Sequence, residues 1–157
     1  MKHRIEILPE KKLIGMNLKM SLAANKTFLL WSSFMKRKVE IENAVGSEMY
    51  SMQVYDKGYY KNFNPANEFV KWSCLEVSSF ENIPDGMGSY ILKGGKYVVF
   101  DYKGNSKNGG EAFIYIFQEW LPASDFVLDD REHFEVLGDK YKNDSDESEE
   151  EIWVPIK

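Results

Sequence analysis

Apolar and polar residues alternate from Ile14 to Leu22, with Ile14, Met16, Leu18, Met20 and Leu22 separated by single intervening positions. A two-residue period predicts a half-buried strand, and Ile5 and Ile7 extend it backwards to one long strand over 2–22, interrupted or bulged near Pro9. The period then changes. Phe28, Trp31, Phe34 or Met35, and Val39 recur at helical spacing; Asn25 or Thr27 stands where a cap belongs, and Lys36, Arg37 and Lys38 lie where the helix dipole favours cations. Two strands are predicted next, over 48–56 and 68–79, around a polar loop that contains Pro65. In the second of them Trp72 and Cys74 share one face, while Lys71 and Ser73 take the other.

The stretch 82–88 (NIPDGMG) is rich in turn formers and predicts a junction. Apolar runs at 87–92 and 97–102 follow, and Gly94 and Gly95 between them predict a tight hairpin, since glycine accepts the positive φ angles such turns need. After a loop over 103–110, Phe113, Ile116, Phe117, Trp120 and Leu121 form one face of a second helix, limited by Pro122. Strands over 131–137 and 152–156 complete the chain. The order strand, helix, strand, strand thus occurs twice. It predicts an α+β fold: one domain over 1–157 built from two strand-helix-strand-strand modules, about 1–83 and 84–157. Their strands make an antiparallel sheet with two helices on one face, which leaves the opposite sheet face, or the seam between halves, uncovered.

Glu135 is out of place in this pattern. Alternation sets Phe134 and Val136 on one face and His133, Glu135 and Leu137 on the other. With Phe134 and Val136 packed on the helices, Glu135 points into the uncovered face. There it is either a solvated strand acid or a pocket acid, whose desolvation an organic cation would offset, and whose raised pKa would suit general acid–base work. Tyr50, Tyr55, Trp72, Tyr90, Tyr97 and Tyr102 lie in predicted strands, where half of them must turn away from the helices and form a wall suited to flat ligands. The candidate ligand-binding residues are therefore Glu135, Trp72, Tyr55, Tyr102, His133 and Leu137.

Composition narrows the chemistry. With 43% hydrophobic and 15% aromatic residues, 157 residues fill a core, and a formal net charge of −5 argues against direct binding of nucleic acid. The single cysteine, Cys74, reads as a small buried hydrophobe, and the two histidines, His3 and His133, are too far apart to encode a zinc site. No apolar stretch reaches the length of a membrane span and the N-terminus is too charged for a signal peptide, so a cytoplasmic location is expected. The acidic run 142–151 (KNDSDESEEE) lacks the glycine of a calcium loop and reads as solvated, or as a segment (144–151) that docks on a basic protein surface. No phosphate loop, nucleophile elbow or Ser/His/Asp set is present, so no catalytic residue, cofactor or metal is assigned.

Several motifs, taken in order, resemble the GyrI-like family, the effector-binding domain that also forms the ligand-sensing half of many AraC-type and MerR-type transcription regulators. They are Pro9-Glu10-Lys11-Lys12-Leu13-Ile14-Gly15, Asn25-Lys26-Thr27 with Leu30-Trp31 and Phe34, and the run from Leu92 to Phe100 with its two glycines. Trp120-Leu121-Pro122-Ala123-Ser124 followed by Phe134-Glu135, and the closing Ile152-Trp153-Val154-Pro155-Ile156, complete the set. The resemblance implies two modules around a groove in which Glu135 faces cationic, aromatic ligands; the family's tyrosine two residues beyond is Leu137 here. It implies a stand-alone sensor, carrier or sequestering protein, unless it works through a separate DNA-binding partner. Two alternatives come with it: hydrolysis of strained cyclopropane-type electrophiles using Glu135, and inhibition of a protein in the manner of the family's gyrase inhibitors, through the acidic segment.

Overall fold

A computed structural model describes residues 1–105 and 109–157. Eight strands, β1 (Lys2–Leu8), β2 (Lys11–Ser21), β3 (Ala44–Val54), β4 (Glu68–Val77), β5 (Gly88–Leu92), β6 (Gly95–Lys103), β7 (His133–Leu137) and β8 (Glu149–Pro155), form one antiparallel sheet in the order β1-β6-β8-β7-β3-β4-β2-β5. Helix α1 (Thr27–Arg37) follows β2, and helix α2 (109–123) follows β6. The interruption expected near Pro9 is the break between β1 and β2.

The hairpin expected at Gly94-Gly95 does not form. β5 pairs with β2 and β6 pairs with β1, so residues 88–101 run antiparallel to residues 2–15 as a single ribbon with a kink in each strand. Gly94 and Gly95 carry φ angles of 87° and 128°, and a side chain on Gly94 would strike the Leu8 carbonyl. Glycine is required for a kink rather than a turn. This ribbon folds across the face of the four central strands opposite the helices. Leu8, Leu13, Leu92 and Tyr97 from the ribbon pack with Tyr50, Met52, Trp72, Cys74, Phe134 and Val136 beneath it. The face expected to lie uncovered is therefore a closed core.

The two helices cover the flanks of the other face. In α1, Leu30 and Phe34 are buried, the latter against Ile14, Leu75 and Val77, while Phe28, and Val39 in the turn that follows the helix, are exposed members of the expected stripe. The Asn25 carboxamide oxygen accepts the Thr27 N–H at 2.9 Å and leads the chain into α1. In α2, Ala112 and Ile116 pack on Val98, Phe100, Ile152 and Val154. Residues Tyr115–Trp120 of α2 are wound as a π-helix, and Pro122 sits in the first turn of the short α-helical end. Between the helices the centre of the sheet is left to its own side chains.

The strand order reads the same from either edge once each strand is exchanged for its counterpart in the other half. Matching by register carries the Gly15–Cys74 pair of β2 and β4 onto the Val99–Trp153 pair of β6 and β8. It likewise carries Ser51–Ser73 of β3 and β4 onto Glu135–Ile152 of β7 and β8. Ser51 and Glu135 are thus equivalent positions, and they also face each other across the central β3–β7 pair. The pseudo-two-fold axis of the sheet passes through them.

Candidate functional site

Strand alternation in β7 puts Phe134 and Val136 into the closed core with Tyr50 and Trp72. Glu135 consequently points to the helix-bearing face, the reverse of the orientation expected from sequence. On that face the row through the sheet centre reads Ile152, Glu135, Ser51, Ser73, and the adjacent row contains His133, Gln53 and Lys71. Glu135 is only 9% exposed, and Ser51, Gln53, Ser73 and His133 are all buried. A charged row lies where a sheet covered by helices would ordinarily be apolar.

Gln53 links the charges. In one orientation its amide oxygen faces only acceptors and its nitrogen makes a single 3.5 Å contact with Glu135 Oε1. The reverse orientation donates to Glu135 Oε2 at 3.1 Å and to the His133 carbonyl at 3.2 Å, and accepts from Lys71 Nζ at 3.3 Å. The second satisfies both ends of the amide. Lys71 therefore reaches Glu135 through an intervening amide. Burial raises the Glu135 carboxyl above its ordinary range, opposed by the charge of Lys71 and the Gln53 hydrogen bond. Ser73 Oγ is fully buried and has no hydrogen-bond partner among the described residues.

Above this row lies an aromatic cluster. Tyr60 stacks on His133 at 5.2 Å and on Phe117 at 4.9 Å, and Tyr55 meets His133 edge-on at 5.1 Å and stacks with Tyr59 at 4.3 Å. Burial, first, and then the charge of Arg131 hold the His133 imidazole down at about 3, so it is neutral at ordinary pH. The hydroxyls of Tyr55 and Tyr60 lie close enough to Glu135 for its charge to raise them further, after burial. Phe117 comes from the π-helical part of α2, whose wider turn directs it at Tyr60 while Trp120 turns to His3 and Phe100. A cleft bounded by Tyr55, Tyr59, Tyr60 and His133 leads in from solvent, but its free volume of about 10 Å³ admits no more than one water. The rings themselves fill the site.

Of the residues expected from sequence, Glu135, His133 and Tyr55 come together here. Leu137 is buried on the same face, opposite Met49. Tyr102 lies two strands away, beside Glu150, and its hydroxyl donates to the Asn105 carbonyl. Trp72 is on the opposite face, in the closed core, 5.5 Å from Tyr90. It cannot wall the site because Lys71 and Ser73 on either side of it face the seam. Sequence reasoning missed Ser51, Gln53, Lys71 and Ser73, whose signal was the alternation of polar residues in β3 and β4. It also missed Tyr60 and Phe117, the former because it lies in a loop. The acidic run is partly structural: Glu149–Glu151 belong to β8, and Glu151 pairs with Arg4 at 2.6 Å. Among the described residues no cluster of His, Cys, Asp and Glu has the form of a metal site, and no helix is long and apolar enough to cross a membrane.

Solved structures share this architecture. SAV2435 bound to tetraphenylphosphonium superposes with a TM-score of 0.77 at 14% identity, over 100% of this chain and 94% of that one. The EcmrR C-terminal domain gives 0.73 at 17% identity, over 99% and 97%. The integron cassette protein VCH_CASS2 from Vibrio cholerae gives 0.68 at 16% identity, over 99% and 95%. No curated protein matches at the level of sequence. The family model for Cass2, the integron-associated effector binding protein, matches residues 4–156, and the chain belongs to that family.

Proposed function

We propose that this protein binds a small aromatic cation in the seam between its helices, with Glu135 as charge partner and the rings of Tyr55, Tyr60, His133 and Phe117 as walls. The observation that carries this reading is Glu135: a buried carboxyl beneath a cage of rings, with Gln53 as its hydrogen-bond partner. A buried charge of this kind is costly unless paired, and a delocalised cation also gains from aromatic faces. Membership of an effector-binding family and the tetraphenylphosphonium bound by SAV2435 support the same ligand class. A role as a sensor or sequestering protein follows, coupled to transcription where a DNA-binding partner reads the bound state.

Glu135→Gln tests the assignment. The variant keeps the shape and the hydrogen bond to Gln53 but removes the charge, so it is expected to fold as before and to bind tetraphenylphosphonium about tenfold or more weakly. Affinity by calorimetry and the melting temperature without ligand are the two measurements. Unchanged affinity in a folded variant would falsify the role of Glu135.

A further inference from the structure

The seam holds a second acid. Glu150 lies two residues along β8 from Ile152, the residue that pairs with Glu135, so its carboxyl emerges on the same face at a diagonal spacing of about 7–8 Å between backbones. Its neighbours in β8 are committed elsewhere: Glu151 to Arg4, and Glu149 to Lys140 at 3.8 Å. Glu150 forms no ion pair among the described residues. The charged and titratable groups around it are Glu135 from β7, Lys71 from β4 and its register partner Tyr102 from β6; Glu111 of α2 and Asp146 of the loop before β8 lie beyond Tyr102. Lys71 is the one cation in this set.

Charge balance follows from the set. With both carboxyls ionised, two negative charges, Glu135 buried and Glu150 half-buried, stand against one ammonium; with one of them protonated, the seam is neutral. Burial and then the charge of Glu135 push the Glu150 carboxyl up to about 7, against the pull of Lys71, in agreement with that balance. We propose that Glu150 is the second acid of the ligand site, and that an organic cation enters the seam in exchange for a proton. One carboxyl O–H bond breaks, the proton passes to water, the cation takes its place, and the net charge of the seam is unchanged. This rests on the ligand-binding reading above and adds to it a linkage to pH. Where the unliganded pair keeps its proton, the cation must expel it, so affinity falls as pH falls; where both acids are already ionised, no proton leaves.

The test is calorimetry of the full chain with tetraphenylphosphonium at about pH 6.5, in two buffers of different ionisation enthalpy, repeated across about pH 6 to 8. The expected result is release of most of one proton per cation at the lower pH, and an affinity about fivefold weaker at pH 6 than at pH 7. Glu150→Gln is expected to abolish the release and flatten the pH dependence. Binding without release by the unaltered protein overturns the exchange and leaves ligand binding standing, a result that needs no variant. Release retained in Glu150→Gln overturns the role of Glu150. Absence of binding at every pH overturns both this inference and the reading on which it rests.

Discussion

His133 illustrates how the seam treats its ionisable groups one by one. Its ring stacks on Tyr60 and is met by Tyr55 and Phe117, and burial holds its pKa down at about 3 rather than at the ordinary 6.5. The unfolded chain takes up that proton as pH falls through about 6.5 while the native state resists until about 3, so stability is lost progressively over that window. His133→Phe keeps the stacking and removes the base. Its loss of stability between pH 6.5 and pH 3, followed by urea melts, is expected to be smaller than that of the unaltered protein by a few kcal/mol, an order of magnitude set by the size of the shift. The two acids act in the opposite sense. For Glu150 the native carboxyl holds its proton up to about 7, so its stabilising contribution is fully present below the ordinary 4.5 and is lost as pH rises from there through about 7. Ser73 adds an orphan hydroxyl to the same face, and such a buried group costs about 1–3 kcal/mol while unpaired.

At the level of elements, the β3–β4 loop does more than connect. Tyr59 and Tyr60 fold back from the turn around Gly58, whose φ of 83° permits the reversal, and occupy the space above Glu135. With so little free volume, a bulky cation enters only when a ring moves. Tyr60→Ala is expected to speed ligand association several-fold in stopped-flow measurements and to cost about 2 kcal/mol of stability for the lost stacking. An unchanged association rate would show that this ring does not control entry. Local pattern was a good guide to such elements and a poor guide to their partners. The long strand with its break at Pro9, the helix from Thr27 and the exceptional Glu135 were all legible from periodicity. Glycine chemistry at Gly94-Gly95 was legible as well, yet a hairpin and a kink in a paired ribbon ask the same of the backbone, and only residues some ninety positions away distinguish them. The facing of Glu135 was hidden for a related reason: both faces of this sheet are covered, so alternation separates the two sets without saying which set meets the helices. Lys71 and Ser73 looked like an outer face, and Tyr60 like a loop residue.

Across the whole molecule, Arg131 joins parts that the chain order keeps apart. Its guanidinium donates to the carbonyls of Gly94, Lys96 and Ile156, pairs with Asp129 at 2.7 Å and covers the Tyr97 ring at 4.7 Å. It thereby ties the ribbon kink to the end of β8. Arg131→Ala is expected to cost about 2–4 kcal/mol in urea denaturation, and Arg131→Lys to recover little of it, because one ammonium cannot serve three carbonyls and an aromatic face together. The axis through Ser51 and Glu135 has a consequence of a different kind. A homodimer of half-chains could build the same sheet about a true two-fold, with every strand paired. Such a dimer would place two copies of one residue face to face at the axis, at backbone distances of about 5 Å. Two glutamates there would repel, and two serines would leave the seam without this acid. Joining the halves in one chain frees the axis from that identity, so a lone carboxylate can face a small hydroxyl at the centre of the fold.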